Sequence, residues 1–340
     1  VKVATCDALG AVGEWQNILP AIQAIAPDAK LATTVALDPM QAGTLYVGTA
    51  TGEHAWGGPG QGIFESKDCG ATWKKVDTGL MAAAVDESTP WGLTADPIDP
   101  QVLYHSSGYG DLGLLKTTNG GVDWTRVYPP DDELAKIVNW VQLVAMDPAN
   151  HLHLLLSMHD QCKGSFNSGC MGESKDGGTT WRLFAVPTPG FSHSAGPVFI
   201  SPTTWLYAAG ADGTFYTKDS GDTWEKVANS GFPTSVKVGK TYLLGSLEGV
   251  LESTDGHAWK AIPSTTPAIS VLNDGETVWA AREYAEDGQP YVAASSSDVH
   301  TWKSVKTPSM QAGGAMVYDS PHHLLYSANF GSGLWRVVTR

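Results

Sequence analysis

The chain has 340 residues and a mass of 36.0 kDa, with 35 acidic residues against 21 basic ones and a formal net charge of −14. That balance excludes broad phosphate-backbone binding and a polybasic membrane anchor, both of which need a basic surface. Only 16% of residues are charged, while Gly numbers 38 and Trp 13, which is the composition of a turn-rich β protein rather than a helical bundle or a disordered chain.

The chain starts at Val1 rather than Met, and reads as a mature form whose signal peptide has been removed. Four cysteines, Cys6, Cys69, Cys162 and Cys170, fit two disulfides in an oxidising compartment. No C-x-x-C occurs, so zinc and thioredoxin readings have no support.

Taken in chain order, the first four strands are predicted at 32–37, 44–48, 62–66 and 72–76. The second of these recurs at 102–105, 154–157, 205–208, 241–244, 277–280 and 324–327, giving seven copies. Between the third and fourth strands lies a repeated turn. It reads Ser66, Asp68, Gly70, Thr72, Trp73, then Thr117, Asn119, Gly121, Asp123, Trp124. Ser174, Asp176, Gly178, Thr180, Trp181 and Thr217, Asp219, Gly221, Thr223, Trp224 follow. Two shorter copies end at Trp259 and Trp302. The Asp or Asn side chain accepts backbone N–H groups, Gly permits positive φ, and Trp supplies a large apolar face at the start of the next strand.

This repeat resembles the Asp-box (BNR) repeat, and the resemblance covers nearly the whole chain. It implies an all-β, seven-bladed β-propeller of four-stranded antiparallel blades, one domain over residues 1–340. The last blade runs out of chain after its third strand. Residues 14–18 mimic Thr72, Trp73 and Val76, so an N-terminal strand at about 13–19 is predicted to complete that blade and close the ring. The same arrangement places Cys6 beside Cys69, and leaves Cys162 and Cys170 to close a short loop.

In such a fold the repeated turns share one face, and the variable loops share the other, where function usually sits. The loops carry Glu53, His54 and Trp56, then Trp91, then His105, Tyr109 and Asp111. Trp140, His159, Asp160 and His193 follow, then Arg282, Glu283 and Tyr284, and finally Asn329 and Phe330. Aromatic rings that cover sugar faces, with acids and amides for the hydroxyls, suit a polysaccharide or oligosaccharide. Glu53, Trp56, Trp91, Tyr109, Asp111, Trp140, His193, Asn329 and Phe330 are the expected binding residues.

Three chemistries fit this set. Glycoside hydrolysis would use two carboxylates from Glu53, Asp111, Asp160 and Glu283. Elimination from a uronate-bearing glycan would use Arg282 as neutraliser and His54, His105, His159 or Tyr284 as acid and base. A metal held by His54, His105, His159 and His193 is the third. The reading requires no cofactor; a structural Ca2+ or the His-ligated metal is the alternative. The sialidases that share the repeat use three arginines on a carboxylate. Here Arg282 is the only one of five arginines on the loop face, so that activity is excluded.

Ala36-Leu37-Asp38-Pro39 with Leu45-Tyr46-Val47-Gly48-Thr49, and the Asp-Pro pairs at Asp96 and Asp147, resemble the xyloglucan-active glycoside hydrolases of family 74, and also sortilin-type domains. Family 74 enzymes place their cleft between two propellers with one catalytic Asp from each. This chain has residues for one, so no catalytic residue is carried over. The combined expectation is a secreted, monomeric carbohydrate-active enzyme that binds neither nucleic acid nor membrane. It would be a hydrolase or else a lyase, with a non-catalytic sugar- or protein-binding propeller as the contrasting class.

Overall fold

The computed structural model describes the chain apart from residues 1, 54–57, 110–111, 131–139, 160–161, 163–167, 189–194, 264, 266, 282–291, 296–297, 306–314 and 330–332. Strands dominate, and neighbours in sequence are neighbours in each sheet. The first sheet comprises Leu31–Leu37, Leu45–Ala50, Gly60–Ser66 and Lys74–Lys75. The second comprises Thr89–Ala95, Leu103–Tyr109, Leu114–Thr117 and Thr125–Tyr128. The third, fourth and fifth run over Val141–Ala185, Ala195–Ala228 and Ser235–Ala261. A C-terminal sheet joins Met316–Asp319, Leu324–Ala328 and Leu334–Val338 to Trp15–Asn17.

The chain forms two compact units, residues 1–125 with 283–292 and 304–340, and residues 126–282 with 293–303. In the first unit, the core joins Val35, Leu45 and Phe64 of the first sheet to Leu324, Tyr326 and Leu334 of the C-terminal sheet. Ile63 and Val76 pack in turn on Leu93, Leu103 and Trp124 of the second. In the other unit, Leu155 and Met171 meet Trp205 and Phe215, and Val198 and Leu206 meet Leu244 and Leu251. Each sheet thus buries its apolar faces against its neighbours, which is propeller-type packing.

The expected single closed ring of seven blades is corrected. Six four-stranded blades lie outside residues 270–305, and the strands within that stretch form a further four-stranded set. The remaining set, Ser270–Asn273, Val278–Ala281, Val292–Ser295 and Trp302–Val305, has its register described only between its first two strands. Its residues also divide between the two compact units. The physical reason is that repeats in a sequence count strand-forming segments but do not fix how the sheets close. The blade end prediction fares differently, because Trp15, Gln16 and Asn17 pair antiparallel with Val337, Arg336 and Trp335. Two short helices, Leu19–Gln23 and Ala82–Glu87, were not foreseen.

The repeated turn owes its shape to its side chains. Ser66 Oγ donates to Asp68 Oδ1 at 2.8 Å and accepts Gly70 N–H at 2.8 Å. Asp68 Oδ1 accepts Thr72 N–H at 2.8 Å, and Trp73 Nε1 donates to Gly70 O at 3.1 Å. Thr117 to Trp124, and Ser174 to Trp181, repeat the scheme. Gly70 sits at φ +87°, a backbone state that other residues adopt only with strain.

Cys6 and Cys69 form one disulfide and Cys162 and Cys170 the other, both as predicted, with Cα separations of 5.4 and 5.9 Å. Around the first, Arg336 donates to Cys69 O at 2.7 Å, to Ala8 O at 2.9 Å and to Gln16 Oε1 at 2.9 Å. This buried guanidinium fastens the N-terminal segment to the C-terminal sheet.

Candidate functional site at the loop end of the first two sheets

In each antiparallel blade the loops after the second and fourth strands leave the end opposite the repeated turns. At that end of the first unit the chain builds a charged cluster. Lys75 ends the short fourth strand, and its Nζ lies 2.6 Å from both oxygens of Asp86. Asp86 comes from the helix Ala82–Glu87. The same ammonium lies 3.7 Å from Asp77 Oδ2, while Asp77 Oδ1 accepts Ile63 N–H at 2.8 Å. The Lys75 and Asp86 side chains are 34% and 36% exposed, and that of Asp77 is fully buried.

Burial pushes the Asp77 carboxyl up to about 7; the Asp86 charge adds to this, and the Ile63 N–H and Lys75 oppose it. Gly62, at φ +95°, makes room for the cluster. A Cβ there would stand 2.5 Å from Lys75 Cε and 2.8 Å from both Asp77 carboxylate oxygens. The arrangement puts the buried Asp77 carboxyl, which holds its proton near neutrality, behind the partly exposed Asp86 carboxyl on one shared ammonium. Two carboxyls in such different surroundings, one buried and one reaching solvent, suit proton-transfer chemistry. Sequence reading missed Asp77 and the Lys75 link. The available signal was the Lys75 to Asp77 spacing on a predicted strand end, facing Asp86 in the next loop.

Glu53 is exposed on the loop of the first sheet, and Trp91 is half-buried on Thr89–Ala95. The backbone of Tyr109 pairs with Thr89. His105 is wholly buried within the second sheet, its Nε2 3.2 Å from Ser88 Oγ and its ring edge-on to Trp124 at 5.8 Å. Burial holds its pKa down at about 4, with the Gly92 backbone opposing, so the imidazole is neutral and faces core rather than a ligand. Asn329 is also buried, and exchanges hydrogen bonds with Ser327.

In the other unit, His159 is buried against half-buried Trp140, with ring centroids 5.7 Å apart. His54, Trp56, Asp111, Asp160, His193, Arg282, Glu283, Tyr284 and Phe330 lie outside the described residues. Among the described residues, Cys6, Cys69 and His322 bring three metal-type donors together. Their sulfurs are joined as a disulfide, and His322 already meets Asp319 Oδ2 at 2.7 Å and Ala4 O at 2.9 Å, so the donor set does not fit a metal.

No family model matches the chain. Over 172 residues it is 26% identical to the xyloglucanase Xgh74A of Acetivibrio thermocellus, covering 45% of this chain and 19% of that protein. A xyloglucanase of Hypocrea jecorina is 30% identical over 99 residues, covering 27% and 11%. One from Paenibacillus sp. is 23% identical over 226 residues, covering 59% and 21%. The matches thus span about a fifth or less of these relatives' length. Among solved structures, the extracellular domain of a putative hybrid two component system, BT3049, from B. thetaiotaomicron aligns with a TM-score of 0.67 at 11% identity, over 92% of this chain and 40% of that one. YCF48 bound to D1 peptide aligns with a TM-score of 0.64 at 14% identity, over 99% and 100%. These two likenesses are of fold alone.

Proposed function

We propose that the chain is an extracellular glycoside hydrolase acting on a β-glucan of the xyloglucan class, at the loop end of the first two sheets. The observation that carries this reading is the similarity to three xyloglucanases over stretches of 99 to 226 residues. Two disulfides support an oxidising compartment.

Glycoside hydrolysis needs one carboxyl to protonate the leaving oxygen and one carboxylate to assist at the sugar carbon. Asp86 and Glu53 reach solvent at this end and take those parts in the proposal. Asp77 is a positioning residue. Its buried carboxyl competes with Asp86 for the Lys75 ammonium, so its ionisation near neutral pH sets how firmly Lys75 holds Asp86. Trp91 offers an indole close by in sequence for stacking on a sugar ring.

The test is incubation with xyloglucan, unsubstituted β-glucan and uronate-bearing gums, followed by reducing-end and ultraviolet absorbance assays. Reducing ends from xyloglucan without new absorbance are expected. New absorbance from an unsaturated uronate would replace hydrolysis with elimination. Silence on every polymer would make the chain a binding propeller. Asp86→Asn should lower turnover by at least about a hundredfold, the low end for an acid–base group, and Asp77→Asn should shift the pH profile more than the maximal rate.

A further inference from the structure

A second polar groove lies in the unit formed by residues 126–282 and 293–303, and it shares no residue with the Lys75 cluster. It has a volume of about 380 Å³, within the roughly 300–1,000 Å³ of small-ligand sites. It opens between the outer strand of the fourth sheet, Glu225–Ala228, and that of the fifth, Lys260–Ala261. The fifth sheet's outer strand pairs only at Leu251 with Ala261 and at Glu252 with Lys260. It follows the shortened turn that ends at Trp259, whose indole packs in part on the Leu206, Leu244 and Leu251 cluster.

The lining divides by chemistry. Leu251 is buried beneath the groove and Trp259 is half-buried, its Nε1 already donating to Gly256 O at 3.0 Å. The indole therefore offers a ring surface rather than a donor. Lys226 Nζ donates to Asp212 O at 2.9 Å, and Lys260 Nζ lies 3.0 Å from Glu252 Oε1. Both cations are thus engaged. Asn229 and Glu248 are exposed, and among the described residues neither side chain has a hydrogen-bond or ion-pair partner.

We infer that this groove binds a short run of a neutral polysaccharide, with a sugar ring against Trp259 and its hydroxyls bonded by Asn229 and Glu248. An amide and a carboxylate together supply the donors and acceptors that vicinal hydroxyls need, and an aromatic wall covers the apolar sugar face. A uronate would meet the Glu248 charge and a chain of net charge −14, while Lys260 is paired with Glu252 and Lys226 is tied to the Asp212 carbonyl. The inference stands on the groove's own chemistry, and holds whether or not the chain cleaves the polymer.

The test is calorimetric titration of the full chain with xyloglucan oligosaccharides, cello-oligosaccharides and oligogalacturonate. The Asn229→Ala/Glu248→Ala double variant alters two exposed side chains and should keep the melting temperature. It should bind the neutral oligosaccharides about tenfold more weakly, the loss expected for two net hydrogen bonds, while Asp86→Asn binds in the groove as the parent does. An unchanged Kd in the double variant overturns the inference, as does absence of neutral-sugar binding or equal affinity for the uronate. Groove binding without any cleavage by the parent overturns the proposed hydrolysis alone. Cleavage with a Kd indifferent to Asn229 and Glu248 overturns the groove alone.

Discussion

His153 donates from Nδ1 to Asp147 Oδ2 at 3.1 Å and from Nε2 to Glu173 Oε1 at 3.0 Å. Phe199 and Trp205 of the adjoining sheet pack on its ring. Burial works against its charge, but the hydrogen bonds and charges of Glu173 and Asp147 outweigh that and hold its pKa above the ordinary value. Lys175 at 3.3 Å and Arg182 at 3.0 Å share Glu173, whose own pKa is lowered. A histidine whose pKa rises on folding contributes stability that is full below about 6.5 and is lost as pH climbs through the folded value. The parent should therefore lose melting temperature above pH 6.5 relative to His153→Gln, by about 2–4 °C for each kcal/mol. Parallel pH curves for the two proteins would contradict this. At the same scale, Gly62→Ala forces a side chain onto Lys75 and Asp77 at positive φ. It should cost about 1–3 kcal/mol by chemical denaturation and, under the hydrolase proposal, reduce turnover at least as far as Asp86→Asn does. Full turnover in Gly62→Ala would separate the cluster from the chemistry.

Individual strands here are short, the shortest outer ones only two residues, so cross-links and buried anchors carry weight that strand pairing does not. The Cys6–Cys69 bond spans 63 residues and Cys162–Cys170 spans eight. On loop-closure entropy these correspond to about 4 and about 2.5 kcal/mol. Cys6→Ser/Cys69→Ser should then lower the denaturant midpoint more than Cys162→Ser/Cys170→Ser, and equal effects would refute the entropic ordering. Arg336→Met removes three hydrogen bonds from a buried cation and leaves the carbonyls of Cys69 and Ala8 without it. A loss of about 2–3 kcal/mol is expected by equilibrium unfolding. A loss below about 0.5 kcal/mol, the range of surface substitutions, would show that the anchor is dispensable.

At the scale of the whole molecule, both ends of the described chain meet in one sheet. Removing residues 1–19 deletes Trp15–Asn17 and Cys6 together, exposing the Leu334–Val338 edge. An unpaired edge of that kind templates aggregation, so the truncated protein should be insoluble, and a monomeric, folded product would contradict the pairing. The repeated turns, the strands between them, both disulfides and the N-terminal strand were legible from sequence. Each rests on local chemistry, such as an Asp that captures neighbouring N–H groups or a Trp that opens a strand. The grouping into two units and the fate of His105 were not. A histidine on a predicted strand end reads the same whether its ring turns toward solvent or, as here, against Trp124. The role of Asp77 is missed for the converse reason. Only the fold brings Asp77, just past a strand, and Asp86, on a helix, onto the Lys75 ammonium, and burial with the Asp86 charge raises the Asp77 pKa. What the sequence determined by itself is the set of strands and turns, because those depend on neighbours within a few residues. Which polar groups are exposed and which share a charge was decided by tertiary structure, because desolvation and Coulomb interaction depend on distance in space.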